Sequence, residues 1–286
     1  MNSIYLTLRH QSFSLPNSII YYITKNPKTP KCYQKMIKCC KYFFFKNPIL
    51  VLHSLFFKFG QWKTCSSGKF CDVINAKILN LENTSFKVWI RNTVRICASN
   101  QSDSNLICSI IPRIYKCDAA CFSISNVTLY FDQFLSFASA SDYLTFDNTI
   151  IKLRNEKPIS IPVIVENLPK ITTITFYNTH TLNINSNTIK ELIKLPKFSE
   201  IMSFEIYNIL ESFDIDTLYN YIKKKRNTQF YLKFAASVSE TYKNRLEEIV
   251  DELLGADSNL LISYITFPGM DETKRKRLLN RYMTSF

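Results

Sequence analysis

The sequence predicts an α/β chain: a small helical module at the start, then a long series of short parallel strands joined by helices. Three observations predict it. Apolar residues recur at helical spacing between residues 13 and 45, short β-type triplets recur from residue 88 onward, and amphipathic helical segments separate the later triplets. The composition supports a sizeable core: 286 residues, 46% hydrophobic, with 22 Phe and 16 Tyr but only 4 Gly and 10 Pro, which is neither a disordered nor a collagenous profile.

Residues 1–12 read as a loose tail. Leu15-Pro16 opens the first helix, because a proline in the first turn lacks only a donor that would be unpaired anyway. Ile19, Ile20 and Ile23 follow at helical spacing, and Asn26-Pro27 stops the helix. A second helix from about Lys31 places Tyr33, Met36, Ile37, Cys40 and Phe44 on one face and Lys31, Lys35, Lys38 and Lys41 on the other. The most apolar run, 42–59, is interrupted by Lys46, Pro48 and His53, too broken to span a bilayer, and reads as a third helix. Gly60, Gly68 and Ser66-Ser67 mark residues 60–72 as the linker between this module (13–59) and the remainder (73–286).

The helical module resembles the F-box, through which substrate receptors dock on SCF-type ubiquitin ligases. Leu15-Pro16, the Ile19-Ile20 pair, the polar and proline-containing gap, and Cys40-Lys41-x-Phe43 carry the resemblance; the start of the second helix, Lys-Cys-Tyr-Gln-Lys, departs from the family's arginine- and leucine-rich pattern. The resemblance implies an acidic linker subunit as partner. Candidate docking residues are Leu15, Pro16, Ile19, Ile20 and Ile23, with Met36, Ile37 and Cys40 as either contact or internal packing.

Beyond residue 72 the triplets are Val88-Trp89-Ile90, Phe122-Ser123-Ile124, Leu144-Thr145-Phe146, Ile174-Thr175-Phe176, Phe204-Glu205-Ile206, Leu232-Lys233-Phe234 and Ile262-Ser263-Tyr264. Three share a fuller form, LTFDN, ITFYN and FEIYN, which ends in Asn148, Asn178 and Asn208. An amide leaving a strand can pair with turn backbone, so these asparagines are expected to line one edge of the array. Helical patterns lie at 187–195, at 215–225 behind an Asp214 or Asp216 cap, and at 239–254 behind Ser239 with Gly255 as the stop. A basic helix over 271–283 closes the chain, with Leu278, Leu279 and Tyr282 expected to pack beneath it. The alternation is similar to leucine-rich repeats, which F-box proteins often carry, and implies a degenerate βα solenoid. The asparagine falls two residues after the last strand apolar rather than three, and an ordinary α/β sandwich is the alternative.

Chemistry is sparse. His10, His53 and His180 are the only imidazoles, no Cys-x-x-Cys occurs, and the glycines are scattered, which leaves no phosphate-cradling loop. Asp214/Asp216 and Glu247, Glu248, Asp251 and Glu252 read as helix-start and surface carboxylates rather than acid–base pairs. No catalytic residue, metal or cofactor is expected. The nine cysteines, all between Cys32 and Cys121, are expected to be reduced, and the start of the chain has no signal-peptide pattern, so a cytoplasmic or nuclear location is expected without a membrane partner.

Net charge is +13, and no acidic residue precedes Asp72, whereas Arg9 and ten lysines precede it; the rest is nearly balanced, with 25 basic and 23 acidic residues. Such a block suits an acidic partner. The favoured reading is a non-catalytic substrate receptor whose repeats hold an unknown protein target. The rivals are a nucleic-acid-binding protein using the N-terminal lysines and Lys274-Arg275-Lys276-Arg277, and a repeat scaffold without a ligase link.

Overall fold

Strict two-residue alternation along strands locked in parallel register organises the molecule. The computed structural model describes residues 13–65, 75–80, 84–100, 103–178, 184, 186–224, 227–255 and 263–284. Three helices open it: α1 (Asn17–Lys25), α2 (Pro30–Cys39) and α3 (Lys41–Lys46). Then come β1 (Ile49–Lys58), β2 (Gln61–Cys65), β3 (Lys77–Ile78), β4 (Lys87–Cys97), α4 (Asp103–Ile110), β5 (Ile114–Cys117), β6 (Cys121–Ser125), β7 (Thr128–Tyr130), α5 (Phe131–Ala138), β8 (Tyr143–Asp147), β9 (Ile150–Lys152) and α6 (Ile161–Glu166). The rest is β10 (Thr173–Tyr177), α7 (Ser186–Leu192), β11 (Ser203–Ile209), α8 (Ile215–Lys224), β12 (Gln229–Phe234), α9 (Glu240–Gly255), β13 (Tyr264–Thr266) and α10 (Glu272–Met283). Helices and strands interleave, and one eleven-stranded sheet runs β13-β12-β11-β10-β8-β6-β4-β1-β2-β3, with β5 also on β4. Within it only β1–β2 and β2–β3 pair antiparallel.

The register aligns Val94/Ile96, Phe122/Ile124, Leu144/Phe146, Ile174/Phe176, Phe204/Ile206 and Phe230/Leu232 on one face. These residues, Ile265 and the buried sides of α4 to α10 share one core. Phenylalanines form a column through it, with ring centroids 5.7 Å apart for Phe134–Phe146, 5.4 Å for Phe146–Phe176, 5.8 Å for Phe176–Phe204 and 6.0 Å for Phe204–Phe230. Each such side chain contributes about 2–3 kcal/mol by leaving water. Three triplets read from the sequence are out of step with this ladder. Val88–Ile90 instead pairs with β1 and β5, the β12 member begins at Phe230 rather than Leu232, and β13 starts at Tyr264, with Ile262 outside the described residues. In each case an adjacent apolar pair of the same period masks the true one.

The run 42–59 is the clearest correction. It holds α3 and then the ten-residue strand β1, in which Leu52, Leu55, Phe56 and Phe57 are buried. A continuous apolar run bounded by turn signals suits a strand covered on both faces as well as a helix, and Pro48 breaks the helix here. Residues 60–65 are likewise not a linker. Phe59 and Gly60 both have positive φ (53° and 70°) and join Lys58 to Gln61 in a two-residue hairpin leading to β2. Residues 66–72 of the expected linker lie outside the described residues; Cys65, the last residue of β2, is disulfide-bonded, against the expectation of free thiols throughout. The second helix is also shorter than expected. Cys40 adopts an extended conformation that ends α2, and its sulfur accepts the Tyr42 amide at the start of α3.

The helices expected from the later patterns are present. Asp214 accepts the Thr217 amide at the start of α8 (3.0 Å), Ser239 accepts that of Tyr242 in α9 (3.2 Å), and Asp271 accepts that of Lys274 in α10 (2.9 Å). In α10, Leu278 and Tyr282 are buried, but Leu279 faces outward. Arg281 donates to the Leu253 and Leu254 carbonyls, serving the final turn of α9.

The asparagine series has a backbone cause. Asn148 and Asn178 follow the last residues of β8 and β10 and Asn208 sits at the register shift near the end of β11, with φ of 44°, 52° and 60°, and Asn126, which the sequence reading left out of the series, joins them at 57°. For Asn148 and Asn178 the side-chain amides pair with side chains rather than turn backbone: Asn148 Nδ2 donates to Asn126 Oδ1 (2.9 Å) and Asn178 Nδ2 to Asp147 Oδ1 (2.8 Å), at the surface. Asparagine is the non-glycine residue that best tolerates this left-handed region. We therefore expect Asn178→Ala to lower stability by about 1 kcal/mol and Asn178→Gly to leave it nearly unchanged, read from denaturant midpoints at constant m. Bulky Phe59, 71% exposed at its hairpin tip, is the converse case. Phe59→Asn is expected to raise stability by about 1 kcal/mol, read the same way.

Candidate functional site

Two surfaces stand out, one on the N-terminal helices and one on the sheet face opposite the main core. The residues predicted for docking divide between them and the interior. Ile19 (45% exposed), Tyr22 (66%) and Ile23 (37%) point outward on α1, and Leu15 (48%) is exposed just before its N-cap, Pro16. Ile20 is 5% exposed and packs inward with Thr24, as it must one position after Ile19 on a 3.6-residue turn. Ile37 packs against a small cluster of Tyr33, Ile49 and Trp89. Met36 and Cys40 are half-buried, and Cys40 serves the break between helices. Sequence reasoning missed Tyr21, Tyr22 and Phe45, which widen the exposed apolar patch.

Tyr33 holds this unit to the sheet. Fully buried, its hydroxyl donates to the Asn47 carbonyl (2.6 Å) and accepts from the Ile49 amide (3.0 Å). Asn47 in turn donates to the Thr24 carbonyl (2.8 Å), and Tyr115 to that of Lys25 (3.2 Å). Burial holds the Tyr33 phenol above its ordinary pKa. The helices thus cover the end of the sheet formed by β1, β4 and β5, on the face opposite Val88 and Ile90. We expect Tyr33→Phe to cost about 1–3 kcal/mol by stranding the Asn47 carbonyl and Ile49 amide, with loss of the N-terminal helices' protease resistance before that of the sheet. Unfolding in a single step at the wild-type midpoint would contradict it.

At the other end of the same face, Tyr282 of α10 lies against Tyr231 (6.0 Å) and Tyr264 (6.1 Å). Between these two covers the face shows a register row of Ser123, Thr145, Thr175, Glu205 and Tyr231. Beside it runs a tyrosine stack: Tyr177–Tyr207 at 4.5 Å and Tyr207–Tyr231 at 5.0 Å, continuing to Tyr264 at 4.9 Å. Desolvation, Glu205 and the neighbouring phenols push the Tyr207 pKa well up. An aromatic immediately before two of the three repeat asparagines, Tyr177-Asn178 and Tyr207-Asn208, was the available sequence signal.

The candidate reactive groups have ordinary surroundings. His53 Nδ1 lies 2.9 Å from Ser54 Oγ on β1; His10 and His180 fall outside the described residues. Burial raises the Cys108, Cys117 and Cys121 thiols, Cys117 to about 11, which is opposite to what activates a nucleophile. Asp214 accepts from Thr217, Asp216 pairs with Arg245, and Glu252 accepts from Tyr219. Among the described residues no cluster of three or more His, Cys, Asp or Glu is placed to hold a metal, and no helix is long and apolar enough to cross a membrane.

Comparison with known proteins finds no match to a family model, to a curated protein or to a solved structure.

Proposed function

We propose that the chain is a non-catalytic protein-interaction adaptor, the substrate-recognition subunit of an SCF-type ubiquitin ligase. Its N-terminal helices act as an F-box-like module on the acidic linker subunit, and its strands and helices act as a degenerate, leucine-rich-repeat-like solenoid that presents a protein target. The observation that carries the reading is the set of Leu15, Ile19, Tyr22 and Ile23, which stays exposed while only Ile20 and Thr24 of the helix pack inward. A helix that only capped the sheet would gain nothing from this second apolar side. Lys31, Lys35, Lys38 and Lys41 are exposed nearby and suit an acidic partner. The adaptor works in the cytoplasm or nucleus on this reading, and the Cys65 disulfide is the feature that fits a reducing compartment least well.

One observation weighs against the nucleic-acid alternative. In the C-terminal basic run, Lys274 is ion-paired with Glu247 (2.6 Å) and Asp251 (2.7 Å), Arg275 with Glu272 (2.6 Å), and Lys276 with Glu272 (3.6 Å). Three of the four charges of this run are thus ion-paired within the protein, which weakens it as a phosphate-binding patch.

The double change Leu15→Ala, Pro16→Ala is expected to remove most binding to the linker subunit, since central apolar anchors are worth about 2 kcal/mol or more each. Changing Lys31, Lys35 and Lys38 to Gln is expected to weaken binding less, and mainly at low salt. Binding at two salt concentrations, with circular dichroism as the folding control, checks both. Loss of the partner with the lysine variant and retention with the Leu15/Pro16 variant would sink the adaptor reading and favour nucleic acid.

A further inference from the structure

Glu205 lies in the centre of the sheet face that no described helix covers; Asp147, the other carboxylate there, is in register with Tyr177 and accepts from Asn178. Glu205 is half-buried on β11, within 3.3 Å of the Tyr207 hydroxyl and 3.4 Å of Ser203 Oγ. Among the described residues no lysine or arginine pairs with it, whereas the carboxylates on α9 and α10 lie in a dense net of ion pairs with Arg245, Lys274 and Arg275. Around it stand aromatic rings, with Tyr207 stacked between Tyr177 and Tyr231 and Tyr282 at the border of the face; exposed Lys233 is in register with Tyr207, and Arg275 acts on the Tyr231 phenol while its own ion pair is with Glu272. Burial and, after it, the Glu205 charge push the Tyr282 phenol up to about 12. Tyr177, 37% exposed, ends the stack on the side toward β8, where Asp147 is its register partner.

We propose that Glu205, Tyr177, Tyr207 and Tyr231 form a receiving site for an arginine side chain of a protein target lying across the sheet face. The chemistry selects that occupant. A half-desolvated carboxylate without a cation gains most from a charged donor, and the π faces beside it attract the same cation. A guanidinium does both at once: its planar fork meets the two carboxylate oxygens while its face stacks on a ring, which a compact ammonium does less well. The adjoining hydroxyls of Thr145 and Ser123, half-buried on the same row, offer donors and acceptors to the rest of the segment. The proposal deepens the adaptor reading and rests on it for the claim that the occupant belongs to a protein target.

The test uses the full chain, labelled at tyrosine, titrated with acetyl-Ala-Arg-Ala-amide and with the same peptide carrying neutral citrulline. The arginine peptide is expected to shift the Tyr207 and Tyr231 ring resonances saturably, and the citrulline peptide to bind at least about tenfold more weakly. Glu205→Gln is expected to weaken the arginine peptide by about tenfold with unchanged circular dichroism. Tyr177→Ala, at an exposed position, is expected to weaken it about threefold and serves if the first variant does not fold. Equal binding of arginine and citrulline, no saturable shift, or wild-type affinity in a folded variant overturns the proposal. Linker binding is measured on the same preparations. If linker binding stays while arginine binding is absent, this site fails alone. If arginine binding stays while the linker is not bound, the adaptor reading fails and the site stands.

Discussion

Everything in this structure depends on parallel strands paired in an unshifted register. Because side chains alternate with period two, a one-residue slip of any strand would send its core residues to the opposite face. Between β6 and β11 the pairing is uninterrupted: Phe122, Leu144, Ile174 and Phe204 align, and so do Ile124, Phe146, Phe176 and Ile206. A register fixed this way stacks large rings upon one another and gives the connecting helices a continuous apolar bed. It also fixes the far face, where Glu205 must lie in line with Thr175 and Tyr231. The irregularities lie outside this stretch, between Leu52 and Ser54 on β1, between Val88 and Trp89 on β4 and between Tyr207 and Ile209 on β11 where it meets β12.

The two ends of the chain solve the same problem differently. A sheet with helices on one face only leaves the other to water, and an apolar patch there would be a liability. At the β1–β4 end, Ile49 and Trp89 would be such a patch, and α2 covers them through Tyr33, a buried residue that also meets two backbone groups the turn leaves over. At the β13 end α10 brings Tyr282 across to Tyr231 and Tyr264. The middle needs no cover, because it carries hydroxyls, Glu205 and tyrosines with polar tips.

Much of this was legible in the sequence where local and tertiary demands agree. The α/β class, the parallel strands, the helix starts at Asp214, Ser239 and Asp271, and the spacing of Asn148, Asn178 and Asn208 all come from patterns that neighbouring residues reinforce. The failures share one cause: signals of equal strength that only packing can separate. An apolar run at 49–58 serves a buried strand as readily as a helix, and Pro48 alone argued for the former. Val88–Ile90 and Leu232–Phe234 have the right alternation but the wrong neighbours. Of the docking residues, the sequence identified the apolar positions, while their division into Leu15, Ile19 and Ile23 outside and Ile20 and Ile37 inside needed the position of β1 and Trp89. The role of the asparagines was misattributed because left-handed backbone leaves no mark in composition, although an Asn at a strand end is its usual sign.

The far-face tyrosines were overlooked for a related reason. In a period-two reading, Tyr177 and Tyr207 occupy the polar phase, where an aromatic counts neither as core nor as a reactive group. In three dimensions the phase is shared by adjacent strands, so residues 30 apart in the chain stack at 4.5 Å. Aromatic pairs of this kind add about 0.5–1.5 kcal/mol beyond area burial, enough to help hold register from the outer side. Register held from both faces is stiffer than register held by the core alone, and stiffness is what a recognition surface needs, since ordering a loose one would consume binding energy. The same rings that steady β10, β11 and β12 thus keep Glu205 in a fixed position, so structural and recognition roles on this face need not compete for residues.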